Sequence, residues 1–327
     1  LITRTFFMRV FVTGATGFIG FAIVSELLSA GHQVTGLARS AASGKKLTDA
    51  GARVVVGSIE DRDCLRRAAA AADGAIHTAF YHKLSHIGLG KRLGLFLGGA
   101  PGGIVQRFMT AAVDTDRRAL ETIGRSLAGT DRPLVAAFAT MAMKEGQLAS
   151  EDQPFDPDFF AAPRAETEHL LQRLAADGVR TSAIRLPPSV HGKGDQGFVP
   201  MLIDIARKKN ASRYVGDGSN RWPSVHRLDA ARLFRLALES GKKGGTYHGV
   251  AEEGIAFRQI AELIGQRLNL PAVGISPALA KKSFGFLSEF VAKDNPTSSA
   301  LTQARLGWHP TQPGLLADLA RADYLKR

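Results

Sequence analysis

At 327 residues, with 45% hydrophobic and 22% charged side chains, the chain can bury a sizeable core as one large α/β unit or two closely joined lobes. Lysine and arginine outnumber aspartate and glutamate by 42 to 30, a formal charge of +12; the basic residues are scattered, with no dense aromatic-interleaved patch, which argues against a nucleic-acid partner and leaves a solvated surface suited to an anionic cofactor or substrate. The single cysteine, Cys64, excludes an internal disulfide and a multi-cysteine metal site and suits a reducing, cytoplasmic setting, and no run of about 18 apolar residues marks a membrane span.

The seven residues before Met8, LITRTFF, are too short for a signal peptide and are expected to lie outside the fold. Residues 10–12 form an apolar run of strand length. Thr13-Gly14-Ala15-Thr16-Gly17-Phe18-Ile19-Gly20 follows, then an apolar periodicity at Ile19, Ile23 and Leu27 that predicts a helix ending near Gly31, and a second strand at 34–37. Strand, glycine turn, helix and strand within about 30 residues is the setting in which a glycine fingerprint binds a dinucleotide. Gly14 permits a tight exit from the strand, Gly17 lets backbone approach a pyrophosphate, and Gly20 lets helix and strand pack closely. The free amides at the helix start favour the anion. After the second strand stand Ala38, Arg39 and Ser40, with no acid before Asp49. An acid there would accept from the ribose 2′-hydroxyl of NAD, whereas Arg39 suits a 2′-phosphate, so NADP(H) is expected in preference to NAD(H).

Further along, 53–56 reads as a strand, 62–72 as an alanine-rich helix carrying a buried Cys64, and 75–79 as the next strand. Residues 81–103 break the rhythm with glycines and basic residues. A helix at 111–127, a strand at 134–139, a helix opening near Pro163 and continuing through 166–176, and a strand at 181–186 complete the alternation. This pattern predicts an α/β fold with a doubly wound parallel sheet of Rossmann type, followed by a smaller lobe. There is no internal repeat or low-complexity linker.

At this point the chain resembles the extended and atypical short-chain dehydrogenase/reductases, the group containing the NAD-dependent epimerase/dehydratases. TGATGFIG (13–20) is similar to that family's glycine turn. GSIEDRDCL (57–65) resembles its Gly-Asp-x-x-Asp stretch, with Ser58 where Asp is frequent, and DGAIHTAF (73–80) resembles the strand whose end lies along the cofactor. RLPPSVHG (185–192), WPSVHRLDAARLF (222–234) and RLGWHPT (305–311) resemble later motifs in the right order. The resemblance implies a dinucleotide-binding domain over 8–187 and a smaller substrate lobe over 188–327, part of which, about 225–240, packs back on the first. It implies cofactor contacts from Gly14, Thr16, Gly17, Phe18, Ile19, Gly20, Arg39, Ser58, Ile59, Thr78 and Ala79, and it allows a homodimer through the helices 111–127 and 163–176.

The family's catalytic device is a Ser or Thr plus Tyr-x-x-x-Lys, where the four-residue spacing puts both side chains on one helix face. Ungapped from the arginine of RLPPSVHG, the Lys position is Arg164 and the Tyr position is Phe160, with Glu168 matching a frequent glutamate. Phe160 cannot transfer a proton. Arg164 can hold ribose or phosphate but is a poor proton relay. Thr140 matches the Ser/Thr that orients the substrate oxygen. Tyr81 is the first candidate for a replacement acid, ahead of His82, His191 and Lys144. His77 and His226 read as packing or satisfied polar residues, and Asp229 as ordering local backbone; His and acidic residues show no metal-ligand spacing. The expected function is hydride transfer between NADP(H) and a small carbonyl or alcohol. The alternatives are a nucleotide-sugar epimerase or dehydratase and a non-catalytic NADP(H) sensor or scaffold.

Overall fold

A computed structural model describes residues 7–81, 104–158, 162–321 and 324. The chain begins as β1 (Arg9–Thr13), α1 (Phe18–Ser29), β2 (Gln33–Ala38), α2 (Ala41–Asp49), β3 (Arg53–Val56), α3 (Arg62–Ala70) and β4 (Gly74–His77). It continues through α4 (Ile104–Leu127), β5 (Pro133–Ala139), α5 (Ala162–Ala176), β6 (Arg180–Leu186) and β7 (Ser189–His191). Then come α6 (Phe198–Lys209), β8 (Ser212–Val215), β9 (Arg221–His226), α7 (Arg227–Ser240), β10 (Gly245–His248), β11 (Glu252–Ala256), α8 (Phe257–Leu268) and β12 (Ala272–Ile275). The last helices are α9 (Pro277–Phe284), α10 (Ser288–Val291), α11 (Ala300–Leu306) and α12 (Leu315–Leu319).

Seven strands form one sheet in the order β10-β6-β5-β4-β1-β2-β3, and β1 pairs in parallel with both β2 and β4. The order reverses at β1, so the crevice beyond its carboxyl end is the topological switch point where doubly wound sheets bind ligands. β1 reads as a continuous apolar run because both faces are covered: Val10, Phe11 and Val12 are all buried. Two smaller sheets, β11-β9-β7 and β12-β8, complete the α/β architecture expected from the sequence.

Local chemistry sets several boundaries. Helix α2 was not anticipated by the apolar pattern; its signal is a capping box, in which the Ser43 amide donates to Ser40 Oγ at 3.2 Å and the Ser40 amide to Ser43 Oγ at 3.1 Å. Asp61 caps α3 by accepting from the Cys64 amide at 3.0 Å. Helix α4 starts at Ile104, directly after the stretch read as irregular and seven residues before the expected 111.

The chain divides into two compact units. The first comprises the described residues of Leu1–Ala137, Phe160–Ala183 and Ala237–Gly245; the second, those of Phe138–Phe159, Ile184–Leu236 and Thr246–Arg327. The first is built on Val10, Phe11, Ile23, Leu27, Leu65 and Ile76. The second packs Trp222, Phe257, Ile260 and Leu315 around one apolar cluster, with the Trp222 and Phe257 rings edge to face at 4.9 Å and the indole N–H donating to the Phe290 carbonyl. Within it the stretch after β5 is bound to 295–298: the Ala149 amide donates to the Pro296 carbonyl and the Ser298 amide to the Ala149 carbonyl.

Candidate dinucleotide site and the residues after β5

In the first unit the glycine turn leaves no room for side chains. Gly14 has φ +70°, and a Cβ there would lie 2.7 Å from Thr78 Oγ1 and 2.8 Å from the Ala79 amide. A Cβ on Gly20 would lie 2.0 Å from the Gly14 carbonyl oxygen, which also accepts from the Gly17 amide at 2.8 Å. Gly17 is the N-cap of α1 and offers no side-chain cap, and a helix start of this kind favours an anion. Thr78 closes the other wall, its Oγ1 donating to the Thr13 carbonyl at 2.9 Å. This cradle, which any Cβ would fill, fits a dinucleotide pyrophosphate.

Arg39 is exposed directly after β2 and makes no hydrogen bond or ion pair among the described residues. Lys45, by contrast, is paired with Asp49 at 2.8 Å. Ile59 is buried, and Ser58 Oγ accepts from the Glu60 amide at 2.9 Å. Tyr81 is also buried. Its hydroxyl bonds with Ser58; burial, then Glu60, pushes the phenol up, while Ser58 and the Arg39 charge pull the other way.

Beneath the turn runs a buried polar chain. His77 Nδ1 lies 2.8 Å from Thr13 Oγ1 and His77 Nε2 lies 3.1 Å from Asp116 Oδ1 on α4. Arg164, on α5, stacks its guanidinium 4.0 Å from the Phe80 ring centre and donates to the Ala137 carbonyl at 3.3 Å. Burial pulls the guanidinium down and the Asp116 charge supports it, while Arg164 Nε has no partner among the described residues.

In the second unit Thr140 opens a short turn after β5 and is fully buried. Its Oγ1 donates to Asn295 Oδ1 at 2.9 Å, and Asn295 Nδ2 donates to the Thr140 carbonyl at 3.0 Å. His191 is buried against Asp318, with Nδ1 2.9 Å from Oδ2, and its ring meets His226 edge-on at 5.4 Å. Asp229 accepts from the Thr311 and Gln312 amides, both at 2.9 Å, and so orders backbone. No group of three or more His, Cys, Asp or Glu among the described residues is arranged to hold a metal, and none of the described helices is long and apolar enough to cross a membrane.

Residues 10–87 match the model of the NAD dependent epimerase/dehydratase family. A 2-alkyl-3-oxoalkanoate reductase of Stenotrophomonas maltophilia is 31% identical over 75% of this chain and 69% of its own length. The chain belongs to the NAD-dependent epimerase/dehydratase family. An uncharacterized protein of Schizosaccharomyces pombe is 47% identical over 97% of this chain and its whole length. Among solved structures, the dTDP-glucose 4,6-dehydratase DesIV of Streptomyces venezuelae superposes with a TM-score of 0.74 at 19% identity, covering 97% and 96% of the two chains, which establishes a shared fold.

For a member of this epimerase/dehydratase family an NAD(P) nucleotide is the expected cofactor, and the cradle accommodates one. Two of the catalytic candidates have hydrogen-bond partners. The Tyr81 phenol bonds with Ser58 and feels the charges of Glu60 and Arg39. The Thr140 hydroxyl proton is committed to Asn295, so that oxygen can accept but not donate without breaking the pair. His82 and Phe160 lie outside the described residues; Lys144 is exposed. Sequence reasoning missed Asn295 and Asp116, because their partners are 155 and 39 residues away.

Proposed function

We propose that this protein is an NADP(H)-dependent reductase that transfers hydride to a small ketone, or removes it from the corresponding alcohol. The observation that carries the cofactor preference is Arg39, exposed and unpaired among the described residues immediately after β2, beside a turn stripped of side chains at Gly14, Gly17 and Gly20. The 2-alkyl-3-oxoalkanoate reductase relative supports a ketone as the substrate class. When bound, the dinucleotide supplies the hydride. The α1 amides would hold its pyrophosphate, Arg39 would pair with the 2′-phosphate, and Arg164, whose Nε has no partner among the described residues, would hold ribose hydroxyls where the family uses lysine.

The proton is the weak point of the reaction. Phe160 has no hydroxyl, and a missing general acid typically costs a factor on the order of 10²–10⁴. A nucleotide-sugar epimerase or dehydratase depends still more on proton transfer, so that reading ranks below the reductase.

A second reading, a non-catalytic NADP(H) sensor, is favoured by one further observation: the Thr140 hydroxyl proton is already bound to Asn295. Calorimetric titration with NADPH, NADP⁺ and NADH, followed by a ketone panel monitored by NADPH oxidation, separates these readings. Tight NADPH binding with ketone-dependent oxidation supports the reductase. A large gap between NADPH and NADP⁺ with no turnover supports the sensor. Absence of binding by any of the three nucleotides removes both.

A further inference from the structure

A cavity of about 350 Å³ opens in the first unit, far from the glycine turn. It lies over the first residues of β1, β2 and β3 (Arg9, Gln33 and Arg53) and against α3 and the two residues after it. The glycine turn follows the last residue of β1, so the two features stand at opposite ends of the same strands.

The lining has a distinct chemistry. Val10, Val55, Ala68 and Ala72 give it an apolar floor, and Arg53 and Arg67 stand exposed at its rim. Neither of these two guanidiniums makes a hydrogen bond or ion pair among the described residues. Arg9, the third arginine, is already neutralised: its Nη2 lies 2.7 Å from Asp73 Oδ1 and its Nε 3.1 Å from Oδ2. No carboxylate lines the cavity. Pockets of roughly 300–1,000 Å³ that are mostly apolar with a few polar groups are the usual form of a small-molecule site. Arginine is suited to grip a carboxylate through paired N–H donors.

We propose that this groove is a second ligand site, taking a small amphipathic carboxylate whose apolar body lies along Val10, Val55 and Ala68 while Arg53 and Arg67 hold the carboxylate. The volume selects a medium-length chain or a single ring system, and the charge selects an anion. A ligand here touches α3 and the strand starts without meeting the dinucleotide cradle, so the proposal is independent of the cofactor reading.

Sodium decanoate is the probe, titrated calorimetrically into the full chain with and without saturating NADPH, with decylamine as the charge control. The expected result is one saturable site with sub-millimolar affinity, unaffected by NADPH and not shared by decylamine. Binding should also slow the reaction of Cys64, which lines the cavity and is 4% exposed, with a small thiol reagent. Arg53→Gln combined with Arg67→Gln should weaken decanoate at least tenfold and leave NADPH binding unchanged. Ala71→Phe, which fills the groove from an exposed position with both arginines intact, should do the same. Failure of decanoate to bind, binding unaltered in both variants, or displacement by NADPH would each overturn the proposal.

Discussion

Gly20→Ala is the sharpest test of the dinucleotide cradle. The added Cβ would stand 2.0 Å from the Gly14 carbonyl oxygen and 2.7 Å from its carbon, both backbone atoms in the turn itself. No rotamer change can relieve a contact with backbone, so the turn or the start of α1 must move by more than an ångström. Overpacking of this kind costs about 1–3 kcal/mol. The displaced carbonyl also accepts from the Gly17 amide at 2.8 Å, and losing that bond adds about 1 kcal/mol. A loss of about 2–4 kcal/mol of stability is expected in urea unfolding. Cofactor affinity should fall further than stability suggests, because the amides that hold the pyrophosphate move with the turn; a loss of about 10–100-fold corresponds to one disturbed charge-assisted bond. Gly51→Ala is the control: unlike Gly20 it has a positive φ, +94°, but its Cβ meets nothing within 4 Å, so it costs only backbone strain of about 1–2 kcal/mol and leaves NADPH affinity unchanged. A Gly20→Ala protein within 0.5 kcal/mol of wild type (roughly the scatter of neutral surface changes) and within about twofold in NADPH affinity would refute this account of the turn.

Arg39→Ala should weaken NADPH by about tenfold or more while leaving NADH nearly unchanged, as expected for loss of one charge-assisted contact; equal effects on both would defeat the 2′-phosphate reading. Asn295→Ala should free the Thr140 hydroxyl and, if Thr140 acts in turnover, change kcat with little effect on the NADPH Kd. Thr140→Ala in the same background should then add nothing to the cofactor affinity, and a large joint loss of NADPH binding would place the pair in the nucleotide site instead. His248 is fully buried: Nδ1 lies 2.8 Å from the Ser298 carbonyl, Nε2 faces Arg185 Nη1 at 3.4 Å, and burial first of all pulls its pKa from 6.5 to about 3. The unfolded chain therefore binds the extra proton below pH 6.5, and this contribution, complete above that value, is lost as pH falls, reaching about 2 kcal/mol by pH 5. Urea titrations at pH 7 and 5 should show that drop, and His248→Gln should reduce it; an undiminished drop in the variant would assign it to other groups.

What could be read along the chain was what short-range physics decides. The glycine turn, the strand before it and Arg39 after it lie within about 30 residues, the span of one strand-helix-strand unit, so that unit was legible from spacing alone. Asp229, which bonds two amides near 311, could be read as a backbone-ordering acid from its motif. Helix α2 escaped because its composition is polar and small and its evidence is a Ser40–Ser43 cap with no apolar stripe. The arrangement of the polar side chains was settled only in three dimensions. Tyr81 followed the right strand to be an acid, yet its hydroxyl found Ser58, 23 positions earlier, in a buried setting. Thr140 matched its motif, yet a partner 155 residues away takes its proton. A hydroxyl's role depends on which acceptor the packed chain places within hydrogen-bond reach, and buried donors are almost always satisfied. The sequence by itself determined a parallel α/β sheet with a glycine turn after its first strand, and it carries Phe160 and Arg164 where the resemblance expects the tyrosine and lysine. The tertiary structure alone decided which hydroxyls and cations are free to act, because contacts between residues distant in the chain exist only once the backbone has folded.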